Sequence, residues 1–158
     1  MANLEDLERR IRVLEDIEAI KSMKRNAFLL VDTGKVDDAI DSYAETAVAE
    51  FGPMGSYQGK ESIKAFLSTL FSTVRFMVHQ LHDPRIEITS ESTAKGTWRL
   101  QVMLHMAIDD KAYWVSAYVE DEYVKENGEW KTSRTKDNFE FITEYEQGWA
   151  KQRMAGLI

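Results

Sequence analysis

The first third of the chain carries apolar residues at the spacing of a helix. They recur every three or four positions at Leu4, Leu7, Ile11 and Leu14. This period places them on one helical face. Asp16 can cap a second helix, which we expect to end at Gly34, since glycine tolerates the positive φ at which many helices stop. Two further helices are predicted, over residues 36–43 and 62–73.

From residue 74 onward the pattern changes to alternation with a period of two. Even positions of the segment 96–105 carry Trp98, Leu100, Val102 and Leu104, and odd positions carry Thr97, Arg99 and Gln101. A strand of a sheet covered on one face has this pattern, so the even face is predicted to be the core face. We predict strands over 48–51, 75–81, 85–88, 94–108, 112–125 and 129–136. Asn127-Gly128 predicts a tight hairpin before the last strand.

The order of these elements indicates the fold class. Helices come first and consecutive strands follow, which favours an α+β protein with helices packed on one face of an antiparallel sheet. The chain has 158 residues, the usual size of one domain, and it has no linker or repeat. We therefore predict a single domain over residues 1–158.

Composition narrows the function classes. The chain lacks cysteine and has a net charge of −7. Disulfides and thiolate chemistry are thus excluded, and the acidity argues against binding nucleic acid or anionic lipid. The amino terminus lacks the pattern of a signal peptide and no apolar run could span a membrane, so a cytoplasmic location is expected. No phosphate-binding loop or nucleophile elbow is present, and no cofactor is implied.

Several short segments resemble one known family in their order and spacing. They are Asp16–Lys21, Tyr57–Ile63, His79–Pro84, Thr93–Trp98 and Gly128–Lys131. Together they resemble the SnoaL-like branch of the nuclear transport factor 2-like superfamily, over roughly residues 16–145. The resemblance implies a curved antiparallel sheet that forms a cone, with the N-terminal helices packed on its concave face around an apolar pocket.

The resemblance also implies candidate chemistry. In lyases of this superfamily an aspartate at the end of the long helix orients a histidine on an early strand, and Asp32 and His79 occupy these positions. Imidazole has an ordinary pKa of about 6.5 and can take a proton at neutral pH. A carboxylate on its other ring nitrogen fixes the tautomer and stabilises the imidazolium. The alternative is that the two residues form a buried structural pair.

Two functions follow from these alternatives. The first is a cofactor-independent lyase or isomerase that acts on a hydrophobic cyclic or aromatic small molecule, with His79 as general base and Asp32 as its orienting partner. The second is a non-catalytic module that binds a small ligand or supports oligomerisation, since a fold does not settle a function. Under the first reading Phe51, Trp98, Leu100 and Val102 are expected to form apolar substrate-binding walls.

The remaining polar residues give weaker signals. Ala27, Val102 and Phe139 stand where the family's dehydratases and dehydrochlorinases carry polar partners. Arg134 shares the parity of Trp130 and Thr132, so it is a candidate anion partner in the pocket, the alternative being a surface residue at a strand end. His82 and His105 should face away from His79 and the core respectively, and no metal site is expected. The odd strand face needs either water or a partner, and the resemblance implies a homo-oligomer.

Overall fold

The computed structural model describes residues 3–152, 154 and 155. The helices are α1 (Leu4–Asp32), α2 (Val36–Ala39), α3 (Lys60–Ser72) and α4 (Gly148–Lys151). Short 3₁₀ turns cover Ile40–Ser42 and Gly52–Met54. The strands are β1 (Tyr43–Glu50), β2 (Ser56–Gln58), β3 (Val74–Ile88), β4 (Thr93–Met106), β5 (Ala112–Glu126) and β6 (Glu129–Glu144).

The first third of the chain forms one helix of 29 residues rather than the two that we predicted. Asn3 caps it by accepting a hydrogen bond from the Asp6 main-chain nitrogen at 2.8 Å. Asp16 does not cap a helix, because the sheet engages its side chain. Its Oδ1 lies 2.5 Å from the Lys125 ammonium and accepts the Trp130 indole hydrogen bond at 2.9 Å. The carboxylate therefore joins the middle of α1 to β5 and β6.

The six strands form one open, curved sheet in the order β2-β1-β6-β5-β4-β3. All pairings are antiparallel except β1 with β6, which is parallel. The segment Asp83-Pro84 does not separate two strands as predicted. Asp83 adopts a positive φ of 49°, and the pairing shifts register between His82 and Arg85 while β3 continues. An irregularity of this kind bends a strand without ending it.

The alternation read from the sequence matches the burial of β4. Its even positions are buried, with exposed fractions of 2% at Trp98, 3% at Leu100 and 7% at Val102. They face the concave side of the sheet, where α1 contacts β3 and β6. The α+β fold class, with helices on the concave face of a curved sheet, is confirmed. In the part of the chain that the structure describes, no helix combines the length and apolarity that crossing a membrane would need.

Candidate active site

A cavity of about 120 Å³ lies between the concave face of the sheet and the helices α1 and α3. Its walls are largely apolar and include Phe51, Phe66, Leu100, Val102, Val115 and Phe139. Apolar walls keep water away from enclosed polar groups, which strengthens the electrostatic interactions between them. The few polar side chains at this cavity therefore carry most of its chemical interest.

His79 and Asp32 are bonded to each other at the cavity wall. Asp32 is the last residue of α1, and its Oδ1 lies 2.5 Å from His79 Nδ1. Its Oδ2 accepts a hydrogen bond from the His79 main-chain nitrogen at 2.9 Å. The side chains are only 12% and 13% exposed, and the imidazole packs on the Phe28 ring with centroids 4.7 Å apart. Two bonds from one carboxylate fix both the position and the ring orientation of His79.

The other ring nitrogen of His79 is open. No side chain or main-chain group among residues 3–152, 154 and 155 bonds to Nε2, and His79 lines the cavity. A proton on Nδ1 shared with Asp32 leaves the Nε2 lone pair as the basic site. The arrangement can thus accept a proton from a molecule in the cavity.

Three of the predicted wall residues line the cavity, namely Phe51, Leu100 and Val102. Trp98 does not, and this expectation is wrong. Its side chain is deeper in the core, where the indole nitrogen donates to the Tyr123 hydroxyl at 2.9 Å. The indole is a buried donor that needs a partner, and the tyrosine supplies it away from the cavity surface.

Arg134 also lies outside the cavity, contrary to the prediction. The pairing of β6 with β5 shifts register between Thr132 and Arg134, so a bulged residue separates them. A bulge reverses the parity of every following residue. Arg134 consequently points outward, where its guanidinium lies 3.1 Å from Glu50 and its side chain is 45% exposed.

The structure contains a buried charged network that the sequence pattern did not predict. Lys24 on α1 bonds to both oxygens of Asp121 on β5, at 3.0 and 2.9 Å. Asp121 also accepts a hydrogen bond from the Tyr123 hydroxyl at 2.6 Å. That hydroxyl in turn accepts the hydrogen bond from the Trp98 indole. The Lys24 and Asp121 side chains are 5% and 0% exposed. This network fills the interior beside the cavity, and Lys24 reaches the cavity wall.

Two further polar residues of the cavity were also missed, Asp137 on β6 and Tyr43 on β1. The pKa of Asp137 is raised to about 7, chiefly by burial. The positive charge of Lys24 opposes this shift, and the negative charge of Asp121 adds to it. Burial also raises the pKa of Tyr43, with smaller contributions from Asp121 and Asp137. Asp137 was missed because we ended the last strand at residue 136, whereas β6 continues to Glu144. Its spacing of two residues from Phe139 was the available signal.

The remaining histidines lie away from the cavity wall. His82 is exposed, and His105 Nε2 is 2.9 Å from Asp110 near the surface. Within the described ranges, no three histidine or acidic side chains converge as a metal site would require. Ala27 and Phe139 line the cavity with Val102. Apolar groups therefore stand at the three positions where the family resemblance placed polar ones.

Solved structures with a similar fold have low sequence identity to this chain. A protein described as a candidate scytalone dehydratase, from Novosphingobium aromaticivorans DSM 12444, is 18% identical with a TM-score of 0.81, covering 86% of this chain and 91% of that one. A type 2 hexachlorocyclohexane dehydrochlorinase is 18% identical with a TM-score of 0.79, covering 85% and 92%. An NTF2-like protein from Novosphingobium aromaticivorans is 17% identical with a TM-score of 0.74, covering 88% and 91%.

At these identities the likeness is one of fold. The sequence itself matches the model of the SnoaL-like domain over residues 12–136, which is well over half of the chain and includes both Asp32 and His79. The chain belongs to the SnoaL-like domain family.

Proposed function

We propose that the protein is a cofactor-independent lyase or isomerase in which His79 is the general base. The observation that carries this proposal is the bond of 2.5 Å between His79 Nδ1 and Asp32 at the wall of an apolar cavity. Similarity of fold to a hexachlorocyclohexane dehydrochlorinase supports the same reaction class.

The chemistry begins with transfer of a proton to His79 Nε2 from a carbon beside a carbonyl or a leaving group. In a lyase the electron pair of the broken C–H bond forms a carbon–carbon double bond while the leaving group departs with its own bonding pair. In an isomerase that pair forms the double bond of an enolate while the π pair of the carbonyl group moves onto its oxygen. The carbonyl group is restored when the imidazolium gives the proton to a different carbon of the conjugated system. Asp32 stabilises the imidazolium that exists between these steps.

The cavity restricts the substrate to a compact hydrophobic molecule. An apolar cavity of about 150 Å³ holds benzene in another protein, and the volume here is about 120 Å³. A single cyclic or aromatic group matches this size. Ala27, Val102 and Phe139 offer a departing hydroxide no polar contact. Proton transfer, elimination of a better leaving group and carbon–carbon cleavage need no polar partner at these three positions.

Deuterium exchange tests the proposal without knowledge of the natural substrate. Cyclohexanone, a cyclic ketone with acidic C–H bonds, is incubated with the protein in deuterated buffer and its mass is followed. We expect the protein to accelerate exchange and His79→Ala to lower that acceleration by at least about 100-fold, a typical contribution of a general base. His82→Ala is the matched control, because His82 is exposed. Equal rates in the parent and His79→Ala would remove His79 from the reaction and leave a ligand-binding module.

Association with a second copy of the chain is proposed as well. The apolar stripe of α1 is exposed, with fractions of 72% at Leu4, 54% at Ile11 and 63% at Leu14. Exposed apolar surface of this extent favours burial in an interface. Gel filtration that yields only a monomer would contradict the proposal.

A further inference from the structure

Asp137 is a carboxyl group with no hydrogen-bonding partner in the region that the structure describes. It lies on β6 and lines the same cavity as His79 on β3, with β4 and β5 between the two strands. An enclosed polar group without a partner costs stability. Its presence at a cavity wall is explained if a ligand supplies the missing hydrogen bond.

The only nearby buried cation in the described ranges is already engaged. Lys24 bonds to both oxygens of Asp121, which itself lies diagonally from Asp137 because Asp121 pairs with Thr135 in the sheet. A cation held by one carboxylate at bonding distance gives a second one only a longer-range attraction. Asp137 is therefore left free for a molecule in the cavity.

A second open group lies near Asp137. Tyr43 lines the cavity, and the negative charges of Asp121 and Asp137 contribute to its raised pKa. No group within residues 3–152 forms a hydrogen bond with its hydroxyl. A carboxyl group and a phenol that are both unpaired form a polar end to an otherwise apolar space. This polar end is separate from the His79–Asp32 pair, because β6 lies three strand spacings of about 4.8 Å from β3. The β6 residue in register with His79 is Ile142 rather than Asp137.

We infer that Asp137 is a specificity-determining residue, which binds a hydroxyl or carbonyl oxygen at the end of the ligand remote from the carbon that faces His79. This inference rests on the proposed function and narrows its substrate class to cyclic molecules with one oxygen group remote from the reacting carbon. Tyr43 is the second hydrogen-bonding group at this end.

The protonation state of Asp137 decides which oxygen it binds. Lys24 on α1, Asp121 on β5 and Tyr43 on β1 are the charged or titratable groups around it, and its pKa is raised to about 7. The protonated carboxyl can donate to a carbonyl or a hydroxyl oxygen. The carboxylate can only accept, so it binds a hydroxyl group and not a carbonyl group.

Phenol and benzene, which differ by one hydroxyl group, test the inference by binding alone. The ratio of their dissociation constants is measured by calorimetry in the parent, Asp137→Leu, Asp137→Asn and His79→Ala. We expect the preference for phenol to fall by about 3- to 10-fold in Asp137→Leu, the value of one hydrogen bond. It should persist in Asp137→Asn, which keeps a donor and an acceptor, and in His79→Ala.

An unchanged ratio in Asp137→Leu, or a ratio lost in His79→Ala instead, would overturn the inference. Cyclohexanone provides a second test in proteins that also carry His79→Ala, so that the imidazole does not titrate. With Asp137 present, binding should weaken several-fold as the pH rises through about 7, and with Asp137→Asn it should not. The same pH dependence in both would contradict the role of Asp137. Failure of deuterium exchange alone would contradict the proposed reaction and leave this binding site standing.

Discussion

Asp121 and Asp137 lie on neighbouring strands and both reach the interior beneath α1, but their surroundings differ. Asp121 receives hydrogen bonds from Lys24 and from the Tyr123 hydroxyl. Asp137 receives none from the described part of the chain and faces the cavity. One sheet thus holds a carboxylate whose charge is fully compensated and a carboxyl group whose hydrogen bonds remain open.

The difference separates groups that stabilise the fold from groups available to a ligand. A buried ion pair with its hydrogen bonds complete holds α1 against the sheet and has no capacity left for another molecule. His79 Nε2, Asp137 and Tyr43 retain that capacity, and all three residues line one cavity. Unfilled hydrogen-bonding capacity at the cavity wall, rather than burial or charge alone, marks the candidate site.

The largest change in stability should come from removing Lys24, the cation that pairs with the buried carboxylate of Asp121. Lys24→Met leaves the Asp121 charge buried beside only a tyrosine hydroxyl, so we expect the free energy of unfolding to fall by about 3–5 kcal/mol. Chemical denaturation measures this loss. Lys21→Met is the control, since Lys21 pairs with the 63% exposed Glu18 one turn away and should change stability by less than about 0.5 kcal/mol. Equal effects of the two substitutions would show that the buried network is not a stabilising element.

Replacing Asp137, which has no partner in the described residues, should stabilise the protein instead of destabilising it. The pKa of Asp137 rises from 3.8 to about 7 on folding, so the folded state holds its proton more tightly. The stability linked to this group is complete below pH 3.8 and is lost as the pH rises through about 7. We expect Asp137→Asn to gain about 2–4 kcal/mol over the parent across this window, in denaturation curves recorded without ligand. A constant difference between the two proteins would contradict the raised pKa.

The two tyrosines sharpen the same contrast with a smaller change. Tyr123→Phe removes a hydroxyl that bonds to both Asp121 and Trp98, and should destabilise the protein by about 1–3 kcal/mol. Tyr43→Phe removes a hydroxyl that has no partner in residues 3–152, and should leave stability within about 0.5 kcal/mol of the parent while weakening phenol binding. Thermal melts of both variants make the comparison. A larger loss in Tyr43→Phe would reverse our assignment of the two groups.

Arg134 should show the smallest effect of all. Its ion pair with Glu50 is 45% exposed on the arginine side, and a surface pair is worth about 0–1 kcal/mol. Arg134→Ala should therefore leave both the unfolding transition and the affinity for phenol almost unchanged. A marked loss of affinity for phenol would show that Arg134 contributes to the binding site, contrary to its outward position.

More of the fold than of the candidate site could be predicted from the sequence. Period-two alternation identified the buried face of β4, and Asn127-Gly128, both with positive φ, identified the last hairpin. Strand parity failed at Arg134 because a bulge precedes it, and a bulge leaves no strong mark in a single sequence. The contact of Asp32 with His79 was expected only from family resemblance, since the two residues are 47 positions apart in the chain. The Lys24–Asp121 pair spans 97 positions, and no local pattern predicts such a partnership.

Nitrogen-15 NMR of the histidine rings tests whether Asp32 and His79 present a base to the cavity, and the chain has only three histidines to assign. His79→Gln identifies the resonances of interest. We expect neutral His79 to carry its proton on Nδ1, towards Asp32. We also expect phenol or cyclohexanone to shift the resonance of its unprotonated Nε2 while the resonances of His82 and His105 stay unchanged. A proton on Nε2 in the neutral ring, or ligand binding that leaves His79 unaffected, would contradict the claim that this pair presents a base to the cavity.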